Sequence, residues 1–287
     1  MLGPVPEGCP AAAGQSRFAG QEATPMYDHN EIATLIEDAR RRAVTVSLFS
    51  AQYPDLTLDD GYDILQRASV LRSIATSAHP VGRKIGFTNT TIWDLYGVYA
   101  PIWGWMYDDS LQLCNDGQGT VEAHTLCQPR AEPEIVFKLA DDIPAGASVE
   151  RIAASIEWVA FGFEVVQCHF PEWKLTAIDS VIDASLHGAS RVGTRVTPWE
   201  SMIPDLERFT LRLLRDGSVI DTGRGSNVLG SPLNAIAHLA RTADVPLHAG
   251  EIITTGTVTD AAWAHAGESY TVEIDGLPLE PLTLRFV

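Results

Sequence analysis

The chain has 287 residues, of which 45% are hydrophobic, so it can form a large buried core in one big domain or two small ones. Its formal net charge of −17 argues against binding to nucleic acid and to anionic membrane surfaces, because both are negatively charged themselves. No apolar run is long enough to cross a membrane as a helix.

The first 25 residues are rich in Ala, Gly and Pro and have neither a basic start nor an apolar core, so they lack the pattern of a signal peptide. We expect residues 1–25 to be a disordered extension, with Met26 as a candidate natural start. The cysteines form no C-x-x-C pair, so they indicate neither a zinc site nor a disulfide framework, and they favour a reduced, cytoplasmic compartment. They are Cys9, Cys114, Cys127 and Cys168.

Two amphipathic helices are predicted in a small helical region over residues 26–79. The first spans residues 28–48, and its apolar face is formed by Ile32, Leu35, Ile36 and Ala39. The second spans residues 58–77 and begins after a Thr57 cap that is followed by first-turn acids. His79-Pro80 ends the region.

Strand patterns dominate from residue 80 onward, with a Trp- and Tyr-rich segment up to Tyr107. Helices are predicted at 149–156 and 232–243. The pattern predicts a mixed α+β fold in which a β-rich catalytic domain over 80–287 follows the helical region. The predicted strands are 81–87, 121–123, 134–139, 158–166, 209–215, 251–255, 269–274 and 282–287.

Three glutamates in predicted strands form a candidate metal site. Glu132 and Glu134 are one residue apart, so both side chains project from the same face of a strand, which is unfavourable unless a cation lies between them. Glu164 lies in the apolar run 159–166, where a lone charge is costly to bury. Three carboxylates suit Mg²⁺ or Mn²⁺ with positions left open for substrate. Alternatively, Glu132 and Glu134 face water at a strand edge.

Six collinear motifs can be compared with known families. They are GRKIGFT at 82–88, PRAEPEI at 129–135, Glu164, the segment with Trp173-Lys174, Asp179 and Asp183, VLGSPLNA at 228–235, and HAGEIITTGT at 248–257. As a set they resemble the 2-keto-4-pentenoate hydratases of the fumarylacetoacetate hydrolase superfamily, to which 4-oxalocrotonate decarboxylases are closely related. The resemblance covers about residue 28 to the C-terminus. It implies a fumarylacetoacetate hydrolase-like β-roll and a metal held by the three glutamates.

The resemblance also implies the chemistry. Substrates of this family are 2-oxo or 2-hydroxydienoic acids such as 2-hydroxypenta-2,4-dienoate, which arise in aromatic-type catabolism. A bound Mg²⁺ or Mn²⁺ polarises the carbonyl and stabilises an enolate, and this serves hydration, decarboxylation or carbon–carbon hydrolysis. The implied partner is therefore a small molecule, with no nucleic acid and no membrane, and the chain is expected to form a homo-oligomer.

Several other residues are candidates for substrate binding or proton transfer. Lys84 is expected to hold the substrate carboxylate or the developing oxyanion; alternatively, it is a surface lysine. Gly256 and Thr257 offer backbone N–H groups and a hydroxyl to a carboxylate, unless they form a plain turn, and Ser185 is a further substrate-binding candidate.

Two aspartates four residues apart, Asp179 and Asp183, are candidates to support Lys84 or Lys174 or to transfer protons. Of the two, Asp183 is the predicted catalytic residue. The alternative is that both lie on the solvated face of a short helix.

The chain departs from the hydratase pattern at two places. Tyr99 and Ile102 stand where the hydratases carry acids, and DASLHG at 183–188 replaces the usual D-N-A-S-S-G. The second change introduces His187, which we take as a candidate catalytic residue because imidazole moves protons near neutral pH; alternatively, it is structural. Three roles are open for the neighbouring aromatic residues: they line a pocket, belong to the ordinary core, or form a subunit interface. These residues are Trp93, Tyr96, Tyr99, Trp103 and Trp105.

The sequence thus favours a metal-dependent hydratase. The alternatives are a 4-oxalocrotonate-type decarboxylase, an acylpyruvate hydrolase, or a protein that binds 2-oxo acids without turnover, since the two acids are lost. The carbon–carbon hydrolases of the superfamily that this chain resembles usually carry a His-x-x-Glu-like dyad that activates water. No such dyad occurs in 86–105, which argues against the hydrolase alternative.

Overall fold

A computed structural model describes residues 27–90, 93, 98–243 and 246–287. The predicted extension at residues 1–25 and the aromatic residue Tyr96 lie outside these ranges. In the described part, thirteen strands form an eight-stranded and a five-stranded sheet. The predicted α+β class with a short N-terminal helical region is confirmed.

The helices of the described ranges are α1 His29–Arg42, α2 Phe49–Gln52, α3 Leu58–Thr76, α4 Val149–Ala153, α5 Ala177–Ile182 and α6 Pro232–Thr242. The strands are β1 Pro80–Gly86, β2 Ile102–Tyr107, β3 Leu111–Leu113, β4 Gln118–Val121, β5 Arg130–Leu139, β6 Ile156–Val166, β7 His187–Val196, β8 Thr210–Arg215, β9 Ser218–Arg224, β10 Ile252–Thr254, β11 Ala262–Trp263, β12 Ser269–Asp275 and β13 Thr283–Phe286. Among these helices, none has both the length and the apolar character needed to cross a membrane.

The large sheet brings distant parts of the chain side by side. Its strand order is β2-β1-β10-β5-β6-β7-β3, and the short β11 pairs with β5. The long antiparallel pair β5–β6 forms its centre, while β1–β10 and β3–β7 are parallel. This order sets Lys84 on β1, Glu132 and Glu134 on β5, Glu164 on β6 and His187 on β7 within a few strands of one another.

The small sheet, in the order β4-β13-β12-β8-β9, shares one apolar core with the large sheet. The cluster joins aromatic side chains of the large sheet to residues of β8, β12 and β13, and α6 contributes to it. Its largest members include Phe137, Phe161, Trp199, Phe209 and Tyr270. The three cysteines in the described ranges are free and buried.

The N-terminal helices have the predicted caps but not all of the predicted lengths. Asp28 accepts a hydrogen bond from the Asn30 N–H at the start of α1, and Thr57 forms a capping box at the start of α3. The first helix ends at Arg42 rather than at residue 48, because Ala43 adopts a left-handed φ of 50°. The following Val-Thr-Val run is β-branched, which disfavours helix, and the Val46 N–H pairs with the His169 carbonyl instead.

These helices pack against the rest of the chain through a second apolar cluster. Ile32 and Ile36 of α1 lie with Phe49, Phe170 and Ile182 in this cluster. The buried guanidinium of Arg40 reinforces the contact.

Arg40 of α1 reaches into the β-rich part of the chain. Its Nη1 lies 3.0 Å from Oδ1 of Asp183, and its Nη2 donates to the backbone carbonyl of His187 at 2.7 Å. Both members of the ion pair are buried. Burial of such a pair makes each partner dependent on the other, because an unpaired buried charge is costly.

Arg40→Met should therefore lower the free energy of unfolding by about 3–5 kcal/mol, because it leaves Asp183 buried without its guanidinium. The matched control is Arg41→Met, since the Arg41 side chain is 68% exposed and pairs with Asp38 one helical turn away. The free energy of unfolding of Arg41→Met should stay within about 0.5 kcal/mol of that of the parent. Urea denaturation measures both. Equal losses in the two variants would show that the buried pair contributes nothing special.

Candidate functional site

The three glutamates come together on one face of the large sheet. Glu132 lies directly opposite Glu164 in the β5–β6 register, and Glu134 lies two residues further along β5. Carboxylate oxygens of the three residues lie within 4.8 Å of one another. Glu134 and Glu164 are fully buried, whereas Glu132 is partly exposed. The expected convergence is present, and Glu134 does not face water.

The surroundings of Glu134 favour a cation beside it. Burial raises the pKa of Glu134 well above its usual range, and the carboxylates of Glu164 and Glu132 raise it further. Burial also raises the pKa of Glu132 to about 7, although the Lys84 ammonium opposes the shift. Oε2 of Glu134 accepts the backbone N–H of Gly256 at 2.6 Å, while the buried Oε1 has no hydrogen-bond partner among the described residues. A bound cation would lower both pKa values and engage that oxygen.

Glu164 differs from the other two glutamates because it has two partners. Burial alone would raise its pKa, but the Lys84 ammonium and the His187 imidazole lower it below its usual value. Nζ of Lys84 lies 3.2 Å from Oε2, and Nδ1 of His187 lies 2.9 Å from Oε1. Burial lowers the pKa of Lys84, yet attraction to the three glutamates raises it overall. Lys84 is only 2% exposed, so the alternative of a surface lysine is wrong.

These groups fit a hard divalent cation. Three carboxylates and one ammonium leave two negative charges in excess when all are ionised, which one divalent cation balances. Carboxylate oxygens are the ligands that Mg²⁺ and Mn²⁺ prefer, and either ion keeps positions for water or substrate beside a few carboxylates.

A cavity of about 260 Å³ opens beside the carboxylates. Lys84 and Glu132 lie in its wall, together with polar residues and with the apolar side chains of Phe87 and Trp173. A second cation, Arg130, lines it as well; its guanidinium carbon lies 4.1 Å from the ring centre of Trp173 and 4.3 Å from that of Trp263. The remaining lining residues are Gly86, Thr88, Asn89, Val166, Ser185, Leu186, Thr257, Thr259, Asp260 and Ala261.

The predicted substrate-binding residues are divided between the cavity and its support. Lys84, Ser185 and Thr257 line the cavity. Gly256 is not among the lining residues, and its N–H is directed to Glu134. Its φ is +99°, and a Cβ there would lie 2.0 Å from Oγ1 of Thr88, so glycine is required for the close approach.

The two remaining predicted catalytic residues, Asp183 and His187, do not line the cavity. Asp183 is fully buried; its Oδ2 accepts the backbone N–H of His169, and its Oδ1 lies 2.8 Å from Nδ1 of the His169 ring. His187 lies behind Glu164 and contacts Ser110 on its other side. A direct catalytic role for either residue stays a prediction. Because neither residue borders the cavity, each can influence the site only through the residues that it contacts.

The solvated-helix alternative for the two aspartates is wrong, since both are fully buried. Asp179 forms the capping box of α5 with Thr176 and accepts the Ser50 N–H at 3.0 Å. Lys174 is exposed and pairs with Glu172, so neither aspartate supports it.

Of the two departures from the hydratase pattern, Tyr99 and Ile102 lie away from the cavity wall, whereas Ser185 and Leu186 of the second departure line it. Tyr99 is 67% exposed, and Ile102 is buried in an apolar cluster with Leu65 and Val181. Trp103 packs in the main core, and Nε1 of Trp105 donates to Gln66. Of the aromatic residues singled out from the sequence, none in the described ranges lines the cavity.

Several residues of the site were not predicted. Thr88, Arg130 and Trp173 stand within or beside the quoted motifs, so the motifs carried a signal for them. The quoted motifs contain neither Asn89 nor Asp260, so no sequence pattern indicated these two residues. Ser110 was also missed, because only the parallel β3–β7 pairing brings its segment to His187.

The chain is similar to known proteins over most of its length. The family model described as fumarylacetoacetate (FAA) hydrolase C-terminal matches residues 112–281. The chain is 32% identical over 244 residues to a 2-hydroxyhexa-2,4-dienoate hydratase of Comamonas testosteroni, covering 84% of this chain and 91% of the relative. It is 30% identical over 258 residues to a 2-keto-4-pentenoate hydratase of Paraburkholderia xenovorans, covering 88% of this chain and 93% of the relative.

A solved structure shares the fold over most of its length. It is 4-oxalocrotonate decarboxylase from Pseudomonas putida G7, complexed with magnesium and adipate, with a TM-score of 0.82 and 26% identity. The match covers 90% of this chain and 97% of the decarboxylase.

Proposed function

Because the chain belongs to the fumarylacetoacetate hydrolase family, we propose that it is a divalent-metal-dependent hydratase of 2-oxo or 2-hydroxydienoic acids such as 2-hydroxypenta-2,4-dienoate. The observation that carries the proposal is the convergence of three carboxylates beside a cavity that is lined by one of them, Glu132, and by Lys84. The named hydratase relatives support the reaction and the substrate class.

Glu132, Glu134 and Glu164 hold the cation, which is Mg²⁺ or Mn²⁺. When bound, the ion supplies Lewis-acid polarisation of the substrate carbonyl and stabilises negative charge at its oxygen. The Gly256 N–H fixes the orientation of Glu134, and Nδ1 of His187 fixes that of Glu164. Two of the three ligands are thereby oriented by groups outside the cation site.

Lys84 orients the substrate. Its ammonium lines the cavity beside the carboxylates and attracts the substrate carboxylate or the developing oxyanion. A Cβ at Gly86 would lie 3.2 Å from Nζ, so the glycine leaves room for the ammonium. Ser185 and Thr257 border the same space, and we assign them to substrate contact. Asp183 and His187 serve as supports behind this surface.

A second candidate is a decarboxylase of 4-oxalocrotonate type. It is favoured by the presence of two cationic side chains in one cavity, Lys84 and Arg130, since a dicarboxylic substrate presents an anion at each end. The neighbour structure with adipate, itself a dicarboxylate, supports the same alternative.

Chelation followed by product analysis tests the proposal. Treatment with EDTA should abolish consumption of 2-hydroxypenta-2,4-dienoate, and added Mg²⁺ or Mn²⁺ should restore it, because the carboxylates alone provide no Lewis acid. Loss of the dienoate absorbance measures the rate. A 4-hydroxy-2-oxo acid identified by NMR supports the hydratase, whereas CO₂ released from a 2-hydroxymuconate-type diacid supports the decarboxylase. Turnover that survives chelation would contradict metal dependence, and binding without any product would leave a 2-oxo acid binder.

We further propose that the protein is a cytoplasmic homo-oligomer and that it acts in aromatic-type catabolism. Light scattering on the purified chain measures the subunit count.

A further inference from the structure

His187 connects the proposed metal site to a hydroxyl behind it. Its Nδ1 lies 2.9 Å from Oε1 of Glu164, and its Nε2 lies 2.9 Å from Oγ of Ser110. All three side chains are buried: Ser110 is 7%, His187 1% and Glu164 0% exposed. The three residues therefore form a hydrogen-bond chain from which water is largely excluded.

The backbone holds this chain from several sides. Ser110 Oγ accepts the Tyr107 N–H and lies within donating distance of the Tyr107 carbonyl, both at 3.1 Å. The carbonyl of His187 accepts from Nη2 of Arg40 at 2.7 Å and from Nε2 of Gln167 at 3.2 Å. The imidazole is thus placed by its own backbone and by Ser110.

The hydrogen-bonding capacities assign the protons of a neutral ring. A carboxylate only accepts, so Nδ1 must carry the hydrogen that faces Glu164. Nε2 is then an acceptor and needs a donor. The Ser110 hydroxyl is the donor within reach, and its single hydrogen is directed to Nε2 at 2.9 Å rather than to the Tyr107 carbonyl at 3.1 Å. The opposite tautomer would set a lone pair of Nδ1 against the Glu164 carboxylate, in a place where water does not separate them.

We propose that Ser110 is a positioning residue, whose hydroxyl donates to Nε2 of His187 and thereby fixes the tautomer that donates from Nδ1 to Glu164. Glu164 then keeps one oxygen on His187 and presents the other toward Lys84 and the remaining glutamates. The proposal rests on the proposed metal site, since its consequence is a correctly oriented metal ligand. It assigns His187 to support of the ligand.

Nitrogen NMR of histidine tests the tautomer directly. Full-length protein labelled with ¹⁵N-histidine and saturated with diamagnetic Mg²⁺ gives signals from all eight histidines, and comparison with His187→Asn identifies the signal of His187. We expect a neutral ring with hydrogen on Nδ1 at mildly alkaline pH. Hydrogen on Nε2, alone or together with Nδ1, would overturn the proposal, because Ser110 would then accept rather than donate.

Mn²⁺ affinity tests the consequence, measured by calorimetry without substrate. Ser110→Ala should weaken Mn²⁺ binding about tenfold, the lower end of what loss of a partner behind a metal ligand costs. Ser190→Ala is the matched control: Ser190 is also buried and pairs with Glu164 in the sheet, but its hydroxyl contacts Sδ of Met106. This control should bind Mn²⁺ as the parent does.

A double variant separates the tautomer from simple packing. The amide nitrogen of Asn occupies the place of Nδ1 and donates to Glu164 without help from Ser110, so Ser110→Ala should cost nothing further in a His187→Asn background. The same loss in both backgrounds, or no loss in the parent, would overturn the proposal. If the parent itself binds no Mn²⁺, the proposed metal site fails, whereas the NMR measurement still decides the role of Ser110.

Discussion

Glu134→Gln is expected to abolish metal binding and turnover while leaving the fold intact. The amide is nearly the same size as the carboxyl, and its oxygen can still accept the Gly256 N–H. It removes the charge that a divalent ion needs, so kcat/KM should fall by roughly 10³-fold or more, given that Lewis-acid stabilisation contributes several kcal/mol.

The same substitution should not destabilise the metal-free protein. Burial and two neighbouring carboxylates raise the pKa of Glu134, so its charge is unfavourable there without a cation. We expect the melting temperature of the metal-free variant to be equal to or above that of the metal-free parent. Mg²⁺ should raise the melting temperature of the parent but not that of the variant.

Glu157→Gln is the matched control for this experiment. Glu157 is an exposed glutamate of β6 that pairs with Lys138 at 2.9 Å, away from the site. Its replacement should leave metal binding, turnover and the melting temperature unchanged. Full activity in Glu134→Gln would contradict the role of Glu134 as a metal ligand that turnover requires. An unfolded variant would assign Glu134 a structural role.

The central part of the site was predictable because strand geometry determines it. Alternation along a strand places Glu132 and Glu134 on one face, and the cost of an isolated charge indicated that Glu164 has a partner. The observed register sets Glu132 opposite Glu164, which the sequence of either strand alone does not specify. The motifs that carried the resemblance supplied the missing link between the strands.

The supporting residues were not predictable in the same way, because they depend on tertiary packing. Asp183 resembles a helix-face aspartate by spacing, but α1 and the His169 loop bury it between two cationic or imidazole groups. Ser110 follows a Trp- and Tyr-rich segment and belongs to no pattern of its own. The strands β2, β3, β7, β9 and β11 were missed for similar reasons. Local periodicity carries no information about which strand becomes the neighbour.

The glutamates are also electrostatically unequal, and this assigns different roles to the residues around them. Glu164 already has an ammonium and an imidazole as partners, so its pKa is lowered even in the absence of a metal. Among the described residues, the hydrogen-bond donor to Glu134 is the backbone N–H of Gly256. Loss of Glu134 should therefore affect metal binding most, whereas loss of Lys84 should affect the substrate.

Lys84→Ala is expected to lower kcat/KM by roughly 10²–10³-fold, the effect of removing one group that stabilises a developing oxyanion. Its effect on the metal should have the opposite sign to that of Glu134→Gln. The ammonium lies 3.2 Å from Oε2 of Glu164 and repels a cation bound beside it, so its removal should leave Mn²⁺ affinity unchanged or higher. Calorimetry with Mn²⁺ and steady-state kinetics on the dienoate measure the two quantities.

Lys138→Ala is the matched control, because Lys138 belongs to the same sheet but forms a partly exposed pair with Glu157. It should retain both activity and Mn²⁺ affinity. Methylammonium added to Lys84→Ala should restore part of the rate, since the cavity of about 260 Å³ beside the deleted side chain admits a small amine. A variant that binds Mn²⁺ normally and turns over at the parental rate would exclude Lys84 from catalysis. A variant that loses Mn²⁺ instead would show that the ammonium supports Glu164 rather than the substrate.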